Sequence, residues 1–493
     1  MKQYNLLNSV LGWVVFAVAA ITYILTLEPT ASFWDCGEFI ASAYKLEVGH
    51  PPGNPIFMLT GRFFANFASD PSQVAYLLNL MSALLSAGTI LFLFWTITYL
   101  AKKIVLPEGN EMTVARMITI LGCGLVGALA YTWSDTFWYS AVEGEVYAYS
   151  SFCTAVVFWL ILKWDSVADE PYANRYLILI AYLIGVSIAV HLLNLLCIPA
   201  IVLVYYYRKF KNVNAKGSLL ALLVSFAIIA LLLYGIVPGF VKVAGWFELL
   251  CVNTLGLPFN SGVIVYFLLT MGVIAWAIYE TFAGKSVLRT RILFLCSIIL
   301  SGMPFITDNL IIGLVVCAAI IAATLYFKLV SVRLMNTILA SLLVILIGYS
   351  SYALILIRSA ANTPMDQNSP EDIFTLGSYL NREQYGETPL LYGQTFVSKV
   401  KRVNGEAQIK EGKNIYQKAI KASADEPDRY VVTGKKESYI YDDETQMFFP
   451  RMHSSKANHI SAYKEWSGAS AGKKPTFAQN MQFFLDYQLN HMY

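Results

Sequence analysis

Asp35 and Glu38 stand three residues apart in Phe33-Trp34-Asp35-Cys36-Gly37-Glu38, and His50 follows in His50-Pro51-Pro52-Gly53-Asn54-Pro55. On a helix, residues three apart share a face. Two neighbouring carboxylates near low-dielectric surroundings push one pKa upward, which suits a general base. The macrodipole also favours acids at a helix start after Thr30-Ala31-Ser32, with no chemistry attached. Trp34 beside the acids and the His50 segment after them tip the balance toward catalysis. That segment cannot be regular helix, because proline removes a donor and restricts the residue before it. Near a membrane, irregular backbone is buried in protein or lines a wet cavity. His50 and Pro52 are therefore candidates for a cavity wall, with an ordinary turn as the alternative.

Further candidates come later in the chain. Arg62 interrupts a short apolar stretch, 56–67, which is too short to span and reads as a re-entrant or interfacial helix. Its guanidinium could bind a phosphate or simply snorkel to the interface. Glu143-Gly144-Glu145-Val146-Tyr147 places two acids on one side if extended, and apart if helical. They could assist Asp35, bind sugar hydroxyls or only solvate a loop. His191, with Asn194, lies deep in an apolar run, where an ionisable residue is a functional candidate by default. The alternative is a core histidine bonding between helices. Arg358 emerges from the last apolar span and could clamp a lipid phosphate or anchor a helix end.

The elements that must position these residues are membrane spans. The chain has 493 residues, 57% hydrophobic and 14% charged. Soluble domains run near 25% charged, and the mean hydropathy of +0.55 points the same way. About 20 apolar residues cross a bilayer. Eleven apolar stretches qualify approximately: 9–27, 72–101, 115–133, 150–164, 176–190, 192–207, 218–239, 263–280, 290–307, 310–327 and 337–357. The fifth and sixth are divided at His191 and Asn194, and the ninth and tenth at Asp308-Asn309. The first lacks a small-residue cleavage site and reads as an uncleaved helix.

With the N-terminus cytoplasmic, fifteen Lys and Arg fall on the inside before residue 358 and three on the outside, namely Lys45, Arg62 and Lys242. The positive-inside rule thus orients the bundle and leaves the C-terminal tail outside. Residues 1–357 form a transmembrane domain in which 28–71 is the first extracytoplasmic loop. Residues 358–493 hold 17 of the 35 basic and 16 of the 32 acidic residues, and read as an extracytoplasmic α+β region. Strands are expected at Pro389–Tyr392 and Tyr430–Val432, and a hairpin over Tyr439–Phe449 around Asp442-Asp443. Its last residues lie in an amphipathic aromatic segment, which reads as an incomplete domain.

Net charge is only +3, which argues against nucleic-acid binding. Walker A, nucleotide-binding glycine and G-x-S-x-G patterns are absent, as is any His/Cys metal spacing. A membrane enzyme with its acids outside and no nucleotide machinery fits a lipid-phosphate donor better than a nucleotide sugar.

Ser32-Phe33-Trp34-Asp35-Cys36-Gly37-Glu38-Phe39-Ile40, followed by Gly49-His50-Pro51-Pro52-Gly53-Asn54-Pro55, resembles glycosyltransferase family 117 within the GT-C class. The resemblance covers about residues 9–200, including Glu143 to Tyr147 and His191; the later helices match in general character only. It implies a mainly α polytopic helix bundle of GT-C type. It also implies transfer of a sugar, mannose first among the candidates, from a polyprenyl-phosphate carrier to Ser/Thr hydroxyls of an exported protein. Asp35 would be the base of an inverting displacement, and Glu38 would position the acceptor or tune Asp35. Trp34, His50, Pro52, Arg62, Glu143, Glu145, Tyr147, His191 and Arg358 would line the substrates. Relatives in the class include metal-free and divalent-ion-dependent enzymes; the expectation is no metal and no other cofactor. The expected location is a cell inner membrane, with the active face and C-terminus periplasmic. Competing readings are a transferase acting on lipopolysaccharide or another glycan, a transporter for a lipid-linked substrate, and a non-catalytic membrane anchor.

Overall fold

The computed structural model describes residues 1–493 apart from Glu108, Asp308, Glu387, Ala424, Ala471 and Tyr493. The chain divides into two compact units, Met1–Asn381 and Arg382–Tyr493.

The first unit is helical: α1 (Lys2–Leu25), α2 (Cys36–Lys45), α3 (Pro55–Ala65), α4 (Val74–Val105), α5 (Val114–Thr132), α6 (Asp135–Ala141), α7 (Val146–Val167), α8 (Arg175–Ile188), α9 (Ile198–Lys209), α10 (Ala215–Ala230), α11 (Val237–Leu249), α12 (Ser261–Ala283), α13 (Val287–Leu300), α14 (Leu310–Ile321), α15 (Val332–Tyr349), α16 (Ala353–Ala360) and α17 (Ile373–Leu380). Each of the eleven apolar stretches carries a helix. Among the described residues, eight helical segments are long and apolar enough to cross a bilayer, counting helices that continue directly into one another as one. The other three stretches, at α8, α13 and α14, are shorter. α8 stops at Ala189, and His191 opens a 3₁₀ turn over Leu192–Cys197 by accepting a bond from the Leu193 amide. α13 ends before Gly302, whose φ of +78° breaks the helix. The expected division at Asp308-Asn309 falls on a residue outside the described set.

Two large apolar cores hold this unit, and two smaller ones tie α2 and α3 to α4. One of the large cores joins α1, α4, α5 and α6 through Val15, Tyr23, Ala87, Phe94 and Ile120. The other joins α7, α8, α11, α12, α13 and α15 around Trp164, Tyr266 and Leu339. α4 packs against α1, α5 and α7 and so stands at the centre of the N-terminal half. Lipid is as apolar as leucine, so such helices associate by close packing rather than by the hydrophobic effect. The crossing of α8 and α15 shows this. A Cβ on Gly185 would lie 2.6 Å from the Ile345 carbonyl oxygen, and one on Gly348 would lie 2.5 Å from the Val186 nitrogen.

The second unit is small and mixed. β1 (Tyr392–Gln394) pairs antiparallel with β6 (Gln446–Phe448), β2 (Arg402–Val403) with β3 (Glu406–Ala407), and β4 (Ile409–Lys418) with β5 (Tyr430–Tyr439). α18 (Ala457–Ser467) and α19 (Phe477–Gln482) complete it, around a core of Phe396, Met452, Tyr463 and Phe483. The hairpin expected over Tyr439–Phe449 does not form. A turn at Asp442–Thr445 sends β6 to β1 instead, where Met447 is buried opposite Gly393.

Candidate active site

α2 carries the acidic motif, and its two ends differ. Asp35 occupies the position before its first turn, exposed, and its side chain makes no capping bond. Trp34, one residue earlier, is 89% exposed and has a φ of +59°, a conformation uncommon for a bulky residue. The far end of α2 closes in a left-handed turn at Leu46. The last carbonyls of a helix lack internal partners and carry partial negative charge. Two arginines satisfy them. Arg358 donates from Nε to the Leu46 oxygen at 2.6 Å and from Nη2 to the Lys45 oxygen at 3.2 Å. Arg62 donates to the Tyr44 oxygen and lies over the Tyr44 ring at 5.4 Å.

Glu38, one turn into α2, faces the His50 segment. Its Oε1 accepts the His50 amide at 2.6 Å and lies 2.8 Å from His50 Nδ1. Burial pushes this carboxyl up, but the hydrogen bonds and charge of His50 outweigh it, and Glu38 titrates below the ordinary range. Gly49 makes the approach possible, since a Cβ there would sit 2.7 Å from Glu38 Oε1. The turn at Pro51-Pro52 is closed by the Gly53 amide on the His50 oxygen, 2.9 Å, and its Pro51-Pro52 peptide is cis. Segments beyond α15 hold the loop from outside. Val48 bonds through its backbone to Met365 and Gln367, and the Tyr379 hydroxyl donates to the Gly49 oxygen at 2.6 Å.

The second acidic pair lies between α6 and α7. Glu143 and Glu145 are 5% and 6% exposed, although both are charged types in a loop. Glu145 begins α7 and accepts the Val146 amide at 2.7 Å. Burial, with the nearby charges of Asp35 and Glu143, pushes its carboxyl up to about 7. Burial also raises Glu143, against hydrogen bonds from Ser32 and Cys36. The Cys36 thiol is pushed up to about 12 by burial and by Glu143 and Glu145, so it stays protonated and is no nucleophile. Tyr147 lies within the fields of Asp35 and Glu145. Its ring meets that of His191 edge-on at 5.4 Å.

Below this contact runs an apolar groove of about 670 Å³, lined by Tyr131, Thr89, Ser151, Thr154, Phe158 and Leu193 among others. Ser151, Thr154 and Phe158 continue the face of α7 that begins at Tyr147, since residues four, seven and eleven apart lie on one side of a helix.

The sequence candidates thus fall into two groups. Asp35, Glu143, Glu145, Tyr147 and His191 form one wall, with Glu38 and His50 beside it. Arg62 and Arg358 are brought together, but at the carbonyl end of α2. The expected proton-raising pair was Asp35 with Glu38; the acid that shares the field of Asp35 is Glu145. Residues that motif reasoning missed are Asn79, Gln367 and Tyr379; Ser32 stood in the motif without a role. Asn79 carried a signal, an amide inside the apolar run Leu77-Leu78-Asn79-Leu80-Met81. Tyr379 carried none. Among the described residues, no group of three or more His, Cys, Asp or Glu is arranged to hold a metal ion.

Residues 35–214 match the family described as the Protein O-mannosyl-transferase TMEM260 N-terminal domain. Residues 386–485 match a family of unknown function, DUF8416. The chain is similar to "Protein O-mannosyl-transferase tmem260" of Dictyostelium discoideum, 28% identical over 186 residues, which are 36% of this chain and 21% of the relative. It is also similar to "Protein O-mannosyl-transferase TMEM260" of Mus musculus, 25% identical over 206 residues, 42% of this chain and 27% of the relative. The matches therefore span about a fifth to a quarter of these relatives. No solved structure matches. The matches support a protein O-mannosyltransferase-like glycosyltransferase family, in agreement with the resemblance carried by the motifs. The matched stretch contains Asp35, Glu38, His50, Pro52, Arg62, Glu143, Glu145, Tyr147 and His191; Trp34 lies one residue before it and Arg358 far beyond it.

Proposed function

We propose that this chain is a membrane glycosyltransferase that moves a mannosyl group from a polyprenyl-phosphate carrier to Ser/Thr hydroxyls of exported proteins. It works in a cell inner membrane, with the N-terminus cytoplasmic and the Asp35 face and C-terminus periplasmic. The observation that carries the reading is the state of Asp35. Among the acids of this wall, its carboxylate is the exposed one without a hydrogen bond, whereas Glu38, Glu143 and Glu145 are each engaged.

The chemistry is a single in-line displacement with inversion. The acceptor hydroxyl gives its proton to the Asp35 carboxylate as its oxygen bonds to the anomeric carbon. The bond from that carbon to the phosphate oxygen breaks, and polyprenyl phosphate leaves with the electron pair. Such a step needs one base and a stabilised leaving group. Glu38, fixed by His50, positions the acceptor. His50 and His191 serve the phosphate and sugar, Trp34 offers its exposed ring, and Arg62 and Arg358 act through α2. The apolar groove below Tyr147 takes the hydrocarbon chain of the carrier.

The test is mannose transfer in membranes supplied with polyprenyl-phosphate-mannose and an exported Ser/Thr-rich acceptor. Asp35→Asn should lose at least about 100-fold in turnover, the usual worth of a general base, while remaining inserted and folded. Equal transfer by both proteins would remove Asp35 as the base.

A further inference from the structure

We infer that Asn79 is a positioning residue for the transfer reaction, a single amide on α4 that holds the two acidic loops in register. The inference rests on the reading of Asp35 as the base.

Asn79 is fully buried, at 0% exposure, on a helix that crosses the apolar layer. Asparagine is a poor helix former, and a buried amide is costly unless bonded. Both donor bonds of its Nδ2 go outside the helix, to the carbonyl oxygens of Glu28 at 2.6 Å and Thr30 at 3.0 Å. These residues begin the loop that leads to Asp35. The other side of the amide faces the second loop. A Cβ on Gly144 would lie 3.1 Å from Asn79 Oδ1 and 3.3 Å from Ile40 of α2. Gly144 stands between Glu143 and Glu145. The loops also join directly, through the Glu28 amide on the Val142 oxygen at 3.2 Å. One side chain thus bonds the segment before Asp35 and lies beside the residue between the two buried acids, leaving little room there for a Cβ. Displacement of either loop by an ångström would separate Asp35 from Glu145, and misplacement of that size costs about 100-fold in rate in well-positioned sites.

The experiment pairs kinetics with amide hydrogen exchange of residues 28–35 and 142–146, using the full chain in membranes or detergent. Asn79→Asp keeps the size but removes both donors; Asn79→Ala removes the side chain. Both should lower kcat about 10- to 100-fold, with KM for polyprenyl-phosphate-mannose within about twofold. Exchange should quicken in both loops but not in α7. Gly144→Ala should slow the wild-type background about fivefold and slow Asn79→Ala by clearly less, because truncation removes the nearer of the two groups its methyl would meet and leaves Ile40. Wild-type kcat and exchange in Asn79→Asp would overturn the inference, as would fully additive Gly144→Ala and Asn79→Ala effects. Quickened loop exchange with no transfer by any protein, wild type included, would sustain the positioning role and remove the transfer reading.

Discussion

α7 has a buried acid at each end, and the two are treated differently. At one end Asp165 is surrounded by cations: Lys103 bonds it, the Arg208 Nε lies 3.6 Å away, and the Tyr99 hydroxyl donates at 2.7 Å. Asp169 nearby takes Arg208 and Lys209. At the other end Glu145 has a backbone amide and two other acids, Asp35 and Glu143, within its field. Both acids are equally out of solvent. The paired end is what a buried charge requires to persist. The other end, without a bonded cation and with acids close by, keeps a proton near neutrality instead, and such perturbed groups cluster where chemistry is done. Burial alone does not distinguish the two acids; bonded cations at one end and acidic neighbours at the other do.

The sharpest way to break this comparison after Asp35→Asn is Glu145→Gln. As pH rises through about 7, Glu145 gives up its proton and sets a negative charge beside Asp35. That charge stabilises the proton leaving the acceptor hydroxyl in the transition state, so wild-type turnover should rise across this range. Glu145→Gln should lack the rise and lie about tenfold below wild type at pH 8. An unchanged inflection in the variant would assign it to another group. Stability runs the opposite way. The folded value of Glu145 is above its ordinary 4.5, so the folded state binds more protons than the unfolded one between 4.5 and about 7. Stability is full below that window and falls as pH rises through it, by at most ~3 kcal/mol; Glu145→Gln should flatten the slope of Tm against pH.

Glu38→Gln comes next. It keeps an acceptor for the His50 amide but loses the charge that pairs with the ring. Because Glu38 titrates low, its contribution is present above the ordinary carboxyl range and disappears as pH falls through its folded value. Transfer should drop about 3- to 10-fold at pH 7, and the acid-side loss of Tm should shrink. If Tm against pH below 5 matches wild type, the Glu38–His50 pair does not hold this loop.

Hydropathy made the helical bundle legible because a span must be apolar over its length, whatever it packs against. The motif made Asp35, Glu38 and His50 legible because proline, glycine and acids are informative in short runs. Other parts depended on distance in sequence. Arg358 bonds the carbonyl of a residue 312 positions earlier, and Tyr379 one 330 positions earlier. Nothing local in either residue announces this, and the composition change at Arg358 hid it, since the fold keeps residues up to Asn381 with the helices. The pairing of Asp35 with Glu145 rather than Glu38 was hidden for the same reason. Spacing of three suggests one face, but Asp35 precedes the helix and Glu38 turns to His50. In the second unit, β6 finds its partner in β1 across the intervening β2–β5, so a local hairpin signal misled.

The smallest expected effect on transfer belongs to the paired end of α7. Asp165→Asn leaves Lys103 and Arg208 facing each other without the carboxylate between them. Breaking a buried ion pair from one side is destabilising by up to ~3–5 kcal/mol, here reduced because the Lys103 side chain is 54% exposed and reaches solvent. A loss of about 1–2 kcal/mol, read as a lower Tm and less inserted protein, is the expected outcome. Transfer per folded molecule should stay within about twofold of wild type, because α7 is long enough to place Asp165 about 30 Å from Glu145. A large drop in kcat with Tm intact would mean that the two ends are coupled along the helix. The contrast between a structural acid and a chemical one on α7 would then fail.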